Sequence, residues 1–418
     1  MQKVAIIGAG ISGLSMAQLL KDRYEVKVFE KESSPGGLVR CKRINGSLFH
    51  LCGGHVFNSK YQNVLDWFWS FFRRDESFLK AERNSVVFMG TGEIIPYPIE
   101  NHMYLFDKET QEGFIRDLLN LSNKESRVLD NFEAFLRNQF GDTLYELYFR
   151  PYNEKIWRRS LKNVPLSWLE GKLPMPTVEE MIFNNINHVK EKEFVHSSFW
   201  YEKEGGSQYV ANRLTQDVSI NYSVNVNNVS FDSKAGKWNI GAEIFDKVIF
   251  CGNIKDMLLM IKGVEVSGFA KDIEELEYHG TTTVFCEIDA NPYSWIYLPS
   301  KKYHCHRIIC TGNFSKTNNG GDLPKHRITA TIEFTDDISE ENIKEELKRV
   351  PFHPEYITHV FHKYTYPIQD ANTRSMILDL KQYLSVYNIY FTGRFADWEY
   401  YNMDACMAAA MKLSDCLV

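Results

Sequence analysis

"KVAIIGAGISGLSMAQLL", Lys3 to Leu20, decides how the rest of the chain is read. An apolar strand runs into Gly8-x-Gly10-x-x-Gly13 and then into a helix of apolar period, and "EVKVFEK" follows as a second strand ending at Glu30. These residue types suit a dinucleotide. Gly8 permits the tight turn, Gly10 lets backbone approach a pyrophosphate, and Gly13 lets the helix pack closely on the strand. The first turn of the helix then offers unpaired N–H groups to phosphate. Glu30 stands where a carboxylate accepts hydrogen bonds from an adenosine ribose. A signal peptide is the competing reading, but glycines interrupt the apolar run and the second strand continues directly from it.

Composition sets the frame around this segment. A chain of 418 residues is too long for one simple core, which implies two or three domains. Hydrophobic content of 44% and charged content of 24% are ordinary for a globular protein, and a net charge of -6 supplies no global field for nucleic acid or anionic lipid. Any anionic ligand must be met locally. The eight cysteines, at 41, 52, 251, 286, 305, 310, 406 and 416, form no CxxC pair and read as reduced thiols. His304, Cys305, His306 and Cys310 lack a second half with ligand spacing, so no metal is expected. No run of about 18 uninterrupted apolar residues announces a membrane span.

Downstream, apolar residues recur at helical spacing from Gln62 to Phe72, from Gln111 to Leu147 and from Thr177 to Val189. "SVVFMGTGEIIPYPI" reads as a hairpin, and "HSSFWYEKEGGSQYVANRL" as a strand, a glycine pair and a helix. "KWNIGAEIFDKVIFCGN" predicts a hairpin leading into an apolar strand that joins the parallel sheet late. Residues 279 to 365 are strand-rich, with alternation in "TTTVFCEI", "RIICTGNF" and "ITATIEF". Near the C-terminus "IYFTGRFADWEYYNMDACMAAAM", Ile389 to Met411, predicts a strand, a Gly-Arg turn, an aromatic cluster and a helix starting near Asn402. Repeats and long linkers are missing from the sequence, so the domains are expected to interleave.

After Glu30, "KESSPGGLVR" carries a second glycine pair, Gly36 and Gly37, which resembles the loop that passes FAD in glutathione-reductase-like flavoproteins. Further along, ordered segments resemble the UDP-galactopyranose mutases and, more remotely, the protoporphyrinogen-oxidase and amine-oxidase flavoproteins. They are "GGHVFNS" from Gly53, "PYNEKIWRRSLKNVP" from Pro151, "FDKVIFCGN", "LEYHGTTTVF", "YTYPIQD" and "TGRFADWEYYNMD". The resemblance implies an α/β fold in which a Rossmann-like FAD-binding domain (1–60, 195–278 and 380–418) is interleaved with a helical domain (61–78 and 108–192) and an antiparallel β-sheet domain (80–105 and 279–379).

Residue by residue, the resemblance implies that non-covalent FAD is held by Gly8, Gly10, Ser12, Gly13, Glu30, Lys31, Gly37, Leu38, Gly54, His55, Gly393, Arg394, Asn402 and Met403. Tyr152 and Trp157 would line a uridine site, joined at the substrate by Trp295, Tyr366 and Tyr400. Arg394, Tyr400 and His55 are the expected catalytic groups. The implied reaction is redox-neutral: reduced flavin attacks the sugar's anomeric carbon, UDP leaves, and the ring recloses at another size. A cytoplasmic location and a role in surface polysaccharide or lipopolysaccharide synthesis accompany it, with a homodimer left open.

The chain departs from the mutase pattern at two diphosphate arginines, where Pro176 and Trp295 stand, with Lys172, Arg158 and Arg159 nearby. Losing two such forks costs roughly 3 kcal/mol of diphosphate recognition. Three readings follow: a mutase-like enzyme on a nucleotide sugar, a flavin oxidase or desaturase on a less charged substrate, and a non-catalytic flavin binder. Two or more cations converging on the flavin would favour the first, and an uncharged aromatic pocket the second.

Overall fold

The computed structural model describes residues 1–122, 129–166, 175–189 and 198–417. Its first unit is a five-stranded parallel sheet. β1 (Lys3–Ile7) leads through α1 (Ile11–Leu20) to β2 (Glu25–Phe29), and three later strands complete the sheet: β5 (Ser219–Asn221), β6 (Lys247–Phe250) and β12 (Ile389–Phe391). The order is β12-β6-β1-β2-β5, with every neighbouring pair parallel. The central strand has residues Val4 to Ile7 all buried, the near-continuous apolar run that a sheet covered on both faces requires. One covering helix is α1, and another is the C-terminal α3 (Met403–Cys416), which packs against it.

The second unit is a seven-stranded sheet assembled from distant segments. Its members are β3 (Ser85–Phe88), β4 (Ile94–Pro96), β7 (Glu277–Asp289), β8 (Trp295–Tyr297), β9 (Arg307–Ile309), β10 (Arg327–Phe334) and β11 (Glu355–Ile368), ordered β11-β7-β10-β9-β8-β3-β4. β7 and β10 pair antiparallel over the full register from Thr282–Phe334 to Asp289–Arg327. Residues two apart share a face, so Arg307, its register partner Glu333 and Thr283 beyond it present one row toward the loop that starts at Gly53.

Helices and three smaller sheets make up the remainder of the described residues. α2 (Arg150–Trp157) carries the aromatic segment. The helical stretch expected from Gln111 to Leu147 is two helices, Lys108–Ser122 and Phe132–Leu144, and a π-helical turn, Tyr145–Phe149, follows them. Gly141 kinks the second helix at φ +83°, where a Cβ would lie 2.4 Å from Asp117 Cβ. Asn131 caps this helix, its side chain accepting from the Ala134 N–H. No helix among the described residues is long and apolar enough to cross a membrane.

Candidate functional site

The N-terminal glycines form an open cradle. Gly8 sits at φ +107°, where other residues strain, and turns the chain from β1 into α1. An ideal Cβ on Gly13 would fall 1.9 Å from the Gly8 carbonyl oxygen, so the helix seats on the strand only with glycine there. Gly10 differs. Its backbone is extended at φ -75°, and a Cβ would find nothing nearer than Gly37 Cα at 4.0 Å. Gly10 therefore opens onto space at the first turn of α1, where no side chain caps the free N–H groups.

Glu30 is buried at the end of β2 and accepts from the Ala9 N–H (2.6 Å) and the Glu32 N–H (2.9 Å). The Gly36-Gly37 loop docks here through Gly36 N–H to Ala9 O at 2.8 Å, with half-buried Leu38 following and Lys31 exposed at the rim. From the far end of the chain, Gly393 enters at φ +124°, and a Cβ on it would meet Ser12 Oγ at 2.9 Å. Asn402 precedes α3 without a side-chain cap, and buried Met403 opens the helix. A second helix N-terminus thus reaches the cradle with free N–H groups. An open Cβ direction, two uncapped helix starts and a carboxylate at the strand end fit a dinucleotide such as FAD.

Beyond the cradle, two arginines flank a tyrosine pair. Tyr366, on β11, and Tyr400, before α3, stack with ring centroids 5.3 Å apart and 8° between planes. Arg394 lies over Tyr400 at 4.8 Å and donates to Tyr401 O (2.9 and 2.6 Å) and Thr365 O (3.1 Å). On the other side Arg307 donates through Nη2 to the Tyr366 hydroxyl (3.2 Å) and through Nε to Glu333 (2.5 Å). Among the described residues its Nη1 makes no hydrogen bond. Glu333 is 1% exposed. Burial alone would raise its carboxyl, but Arg307 overcomes that and holds it well below the usual carboxylate range. Its other oxygen accepts the Gly53 N–H at 2.9 Å, so one carboxylate ties the glycine loop to the cation.

His55 follows on that loop. Burial, reinforced by Arg394, pushes its imidazole down to about 4, so the ring is neutral at pH 7. Its Nε2 is buried without a partner. His50 behind it is pushed down to about 3 by burial and bonds the Tyr201 hydroxyl at 2.8 Å. The aromatic helix α2 supplies Tyr152, stacked on Tyr148 (5.5 Å) and edge-on to Tyr297 (5.5 Å), while Trp157 is buried at its end. Trp295, 7% exposed, belongs to an aromatic wall with Phe199 (5.4 Å) and Phe314 (4.8 Å), beside Gly54. Arg83 lies over its ring at 5.2 Å.

The aromatic cluster of the C-terminal turn divides in two. Phe395 and Trp398 are buried in the core, Trp398 donating to Ile368 O at 2.9 Å, whereas Tyr400 is half-buried beside Arg394. Arg158 pairs with Asp336 and Arg159 with Glu277, both at 2.6 Å. Pro176 accepts from Gln139 through its carbonyl, and Lys172 lies outside the described residues. Among the described residues no three potential ligands cluster for a metal; Cys305 and Cys310 are buried thiols, each pushed up to about 12 chiefly by burial.

Arg307 is the residue that motif matching missed. The signal was present in the strand pattern: a lone Arg in "CHRIIC" and a lone Glu in "TATIEF" interrupt two apolar strands, and opposite charges of that kind persist in a sheet by pairing. Trp295, which holds the position where an arginine was expected, is on the strand paired with that of Arg307, two register pairs away (Trp295–Ile309 against Tyr297–Arg307).

A dinucleotide cradle interrupted by a β-sheet and a helical layer defines the flavoprotein fold shared by sugar-nucleotide mutases and amine-oxidase-like proteins. Within that class the chain is similar along its length to the mutases. A family model described as an NAD(P)-binding Rossmann-like domain matches residues 6–72. The chain is 22% identical to the dTDP-fucopyranose mutase of Escherichia coli, with 99% of this chain and 97% of that protein covered. It is also 22% identical to a probable UDP-galactopyranose mutase of Klebsiella pneumoniae, covering 99% and 94%. A crystal structure of reduced UDP-galactopyranose mutase superposes with a TM-score of 0.85 at 21% identity, over all of this chain and 95% of the other. A putative protoporphyrinogen oxidase from Exiguobacterium follows at TM-score 0.76 and 14% identity, covering 100% and 98%.

Proposed function

We propose that the chain is an FAD-dependent enzyme that isomerises the ring of a nucleotide-linked sugar, in the service of surface polysaccharide synthesis. The observation that carries this reading is the pair of cations, Arg307 and Arg394, on either side of the Tyr366–Tyr400 stack beside the His55 loop. A sugar leaving from a nucleoside diphosphate needs positive charge where the phosphate oxygens collect electrons. Arg307 has Nη1 uncommitted and Nη2 on a tyrosine hydroxyl, while Arg394 spends its fork on carbonyls and contributes field and position. Tyr152 and Trp157 would hold the base, and the two hydroxyls of the tyrosine stack would orient the diphosphate.

Bound FAD, once reduced, supplies the electron pair for bond making and breaking at the sugar's anomeric carbon. The protein holds its own groups ready for that. His55 is neutral at pH 7, and the Leu38 carbonyl accepts from its ring, which leaves Nε2 as a bare acceptor. The wall of Trp295, Phe199 and Phe314 stands beside Gly54 and would keep water from that side of the His55 loop. The same wall favours a second reading, oxidation or desaturation of an apolar substrate. One experiment separates the two. The FAD-loaded protein, reduced with dithionite under argon, is given UDP-galactopyranose or dTDP-fucopyranose and the products are resolved by chromatography. Ring-isomerised sugar, with no reductant consumed per turnover, is the expected result. Absence of isomerised sugar there, together with substrate-driven bleaching of the oxidised flavin in a parallel sample without dithionite, would overturn it.

A further inference from the structure

His279 lies one residue pair from the tyrosine stack and plays no part in the account above. It is the register partner of Tyr366 across β7 and β11, and the two rings stack at 4.7 Å with 24° between planes. The residue is 4% exposed. Its Nδ1 lies 3.1 Å from the Gly280 carbonyl oxygen, which only accepts, so Nδ1 carries the proton. Nε2 is left as a lone pair, buried and without a partner.

The surroundings keep it that way. Arg159 reaches the same strand through Glu277, two residues before His279, and Arg158 and His306 also act on the ring electrostatically. Burial pushes the imidazole down to about 4, and the two arginines add to the effect. A buried acceptor without a donor costs about 1–3 kcal/mol unless something supplies one. On this face Arg158 and the Arg159 Nη2 pair with Asp336 and Glu277, and the Arg159 Nε, buried and itself unpartnered, makes no hydrogen bond to the ring. A phosphate oxygen is excluded as the missing group, because it too only accepts.

Resting on the nucleotide-sugar reading, we propose that His279 is a specificity-determining residue whose Nε2 accepts a hydrogen bond from a hydroxyl of the nucleotide sugar. The tyrosine stack is thereby read from both sides: Arg307 addresses the anionic part of the ligand and His279 a neutral donor on it. The same donor chemistry is available from the hexose and from the ribose of the nucleotide, and the test tells them apart.

Three FAD-loaded proteins are compared by flavin-monitored titration with UDP-galactopyranose and with UDP alone: wild type, His279→Phe and His279→Gln. Phenylalanine keeps the stack on Tyr366 and removes the lone pair. Glutamine places an amide oxygen near the position of Nε2. His279→Phe is expected to weaken UDP-galactopyranose binding about tenfold, with most of the loss recovered by His279→Gln. If the donor is a sugar hydroxyl, UDP binding stays within about twofold of wild type; if it is a ribose hydroxyl, UDP weakens in parallel. Melting curves identify any variant that loses its fold, and the glutamine variant alone then decides: wild-type-like affinity supports the role. Unchanged affinity of folded His279→Phe for both ligands overturns the inference while leaving the mutase reading intact. Wild-type protein that binds neither ligand overturns both.

Discussion

The dinucleotide cradle and the proposed substrate face are built on opposite plans. Three glycines and Glu30 within 23 residues shape the core of the cradle, mostly with backbone, while Arg307, Glu333, Tyr366, Tyr400 and His55 reach the substrate face from five separate segments as side chains. Backbone sites depend on what a residue lacks. Side-chain sites depend on partners that chain order hides. Damage to the first should therefore appear as all-or-none loss of seating, and damage to the second as unpaired charge.

The largest effect is expected on the substrate face. Arg307→Ala leaves Glu333 buried and uncompensated, which should cost about 3–5 kcal/mol in chemical denaturation. Arg307→Met combined with Glu333→Leu should recover most of that stability without recovering nucleotide-sugar binding; a double variant as unstable as the single one would break the claim that the pair is electrostatic at heart. In the cradle, Gly13→Ala forces a methyl against the Gly8 carbonyl and should cost about 3 kcal/mol, visible as a lowered melting midpoint. Gly10→Val sharpens the contrast: the extended backbone and open space admit the side chain, so the fold survives while FAD titration shows no binding.

A smaller effect belongs to the junction between the two plans. Arg394→Lys keeps the charge and loses the fork that reaches Tyr401 O and Thr365 O, so nucleotide-sugar affinity should fall by about 1–2 kcal/mol while FAD stays bound. Equal loss of both ligands would move Arg394 from the substrate face into the cradle.

The smallest concerns protons. His50, His55 and His279 are held below the ordinary imidazole value, so the unfolded chain binds protons that the folded one refuses once pH drops under about 6.5. Stability should thus decline as pH falls from about 6.5 through 4, each histidine contributing about 1 kcal/mol or less at pH 6. His55→Gln should flatten part of this slope. Glu333 acts over a lower range, its contribution present above the usual carboxylate pKa and lost as acid finally protonates it.

This division also explains what could be read beforehand. The Gly8–Gly13 run, Glu30 and the start of α3 were legible because a tight turn, a close approach and a helix start each demand a residue type at a fixed local spacing. That β6 joins the parallel sheet late was equally plain from an unbroken apolar run, though its place beside β1 was not. Arg307 escaped because its meaning lies in register: it becomes a site residue only when β9 meets β10 and places it opposite Glu333. Motif order pointed to Trp295 instead, two register pairs away in the same sheet. The kink at Gly141 escaped for a related reason, since the Asp117 side chain that demands glycine there is on another helix.

One tie described above bears on how such a site drifts over generations. Arg394 grips the carbonyls of Thr365 and Tyr401, the immediate neighbours of Tyr366 and Tyr400, so the spacing of the stacked rings is set by a bond to main chain. Carbonyls are common to every amino acid. The grip on the chain at 365 and 401 thus does not depend on the side chains there, and the proposed ligand preference can be retuned at Trp295 or His279 without resetting the gap.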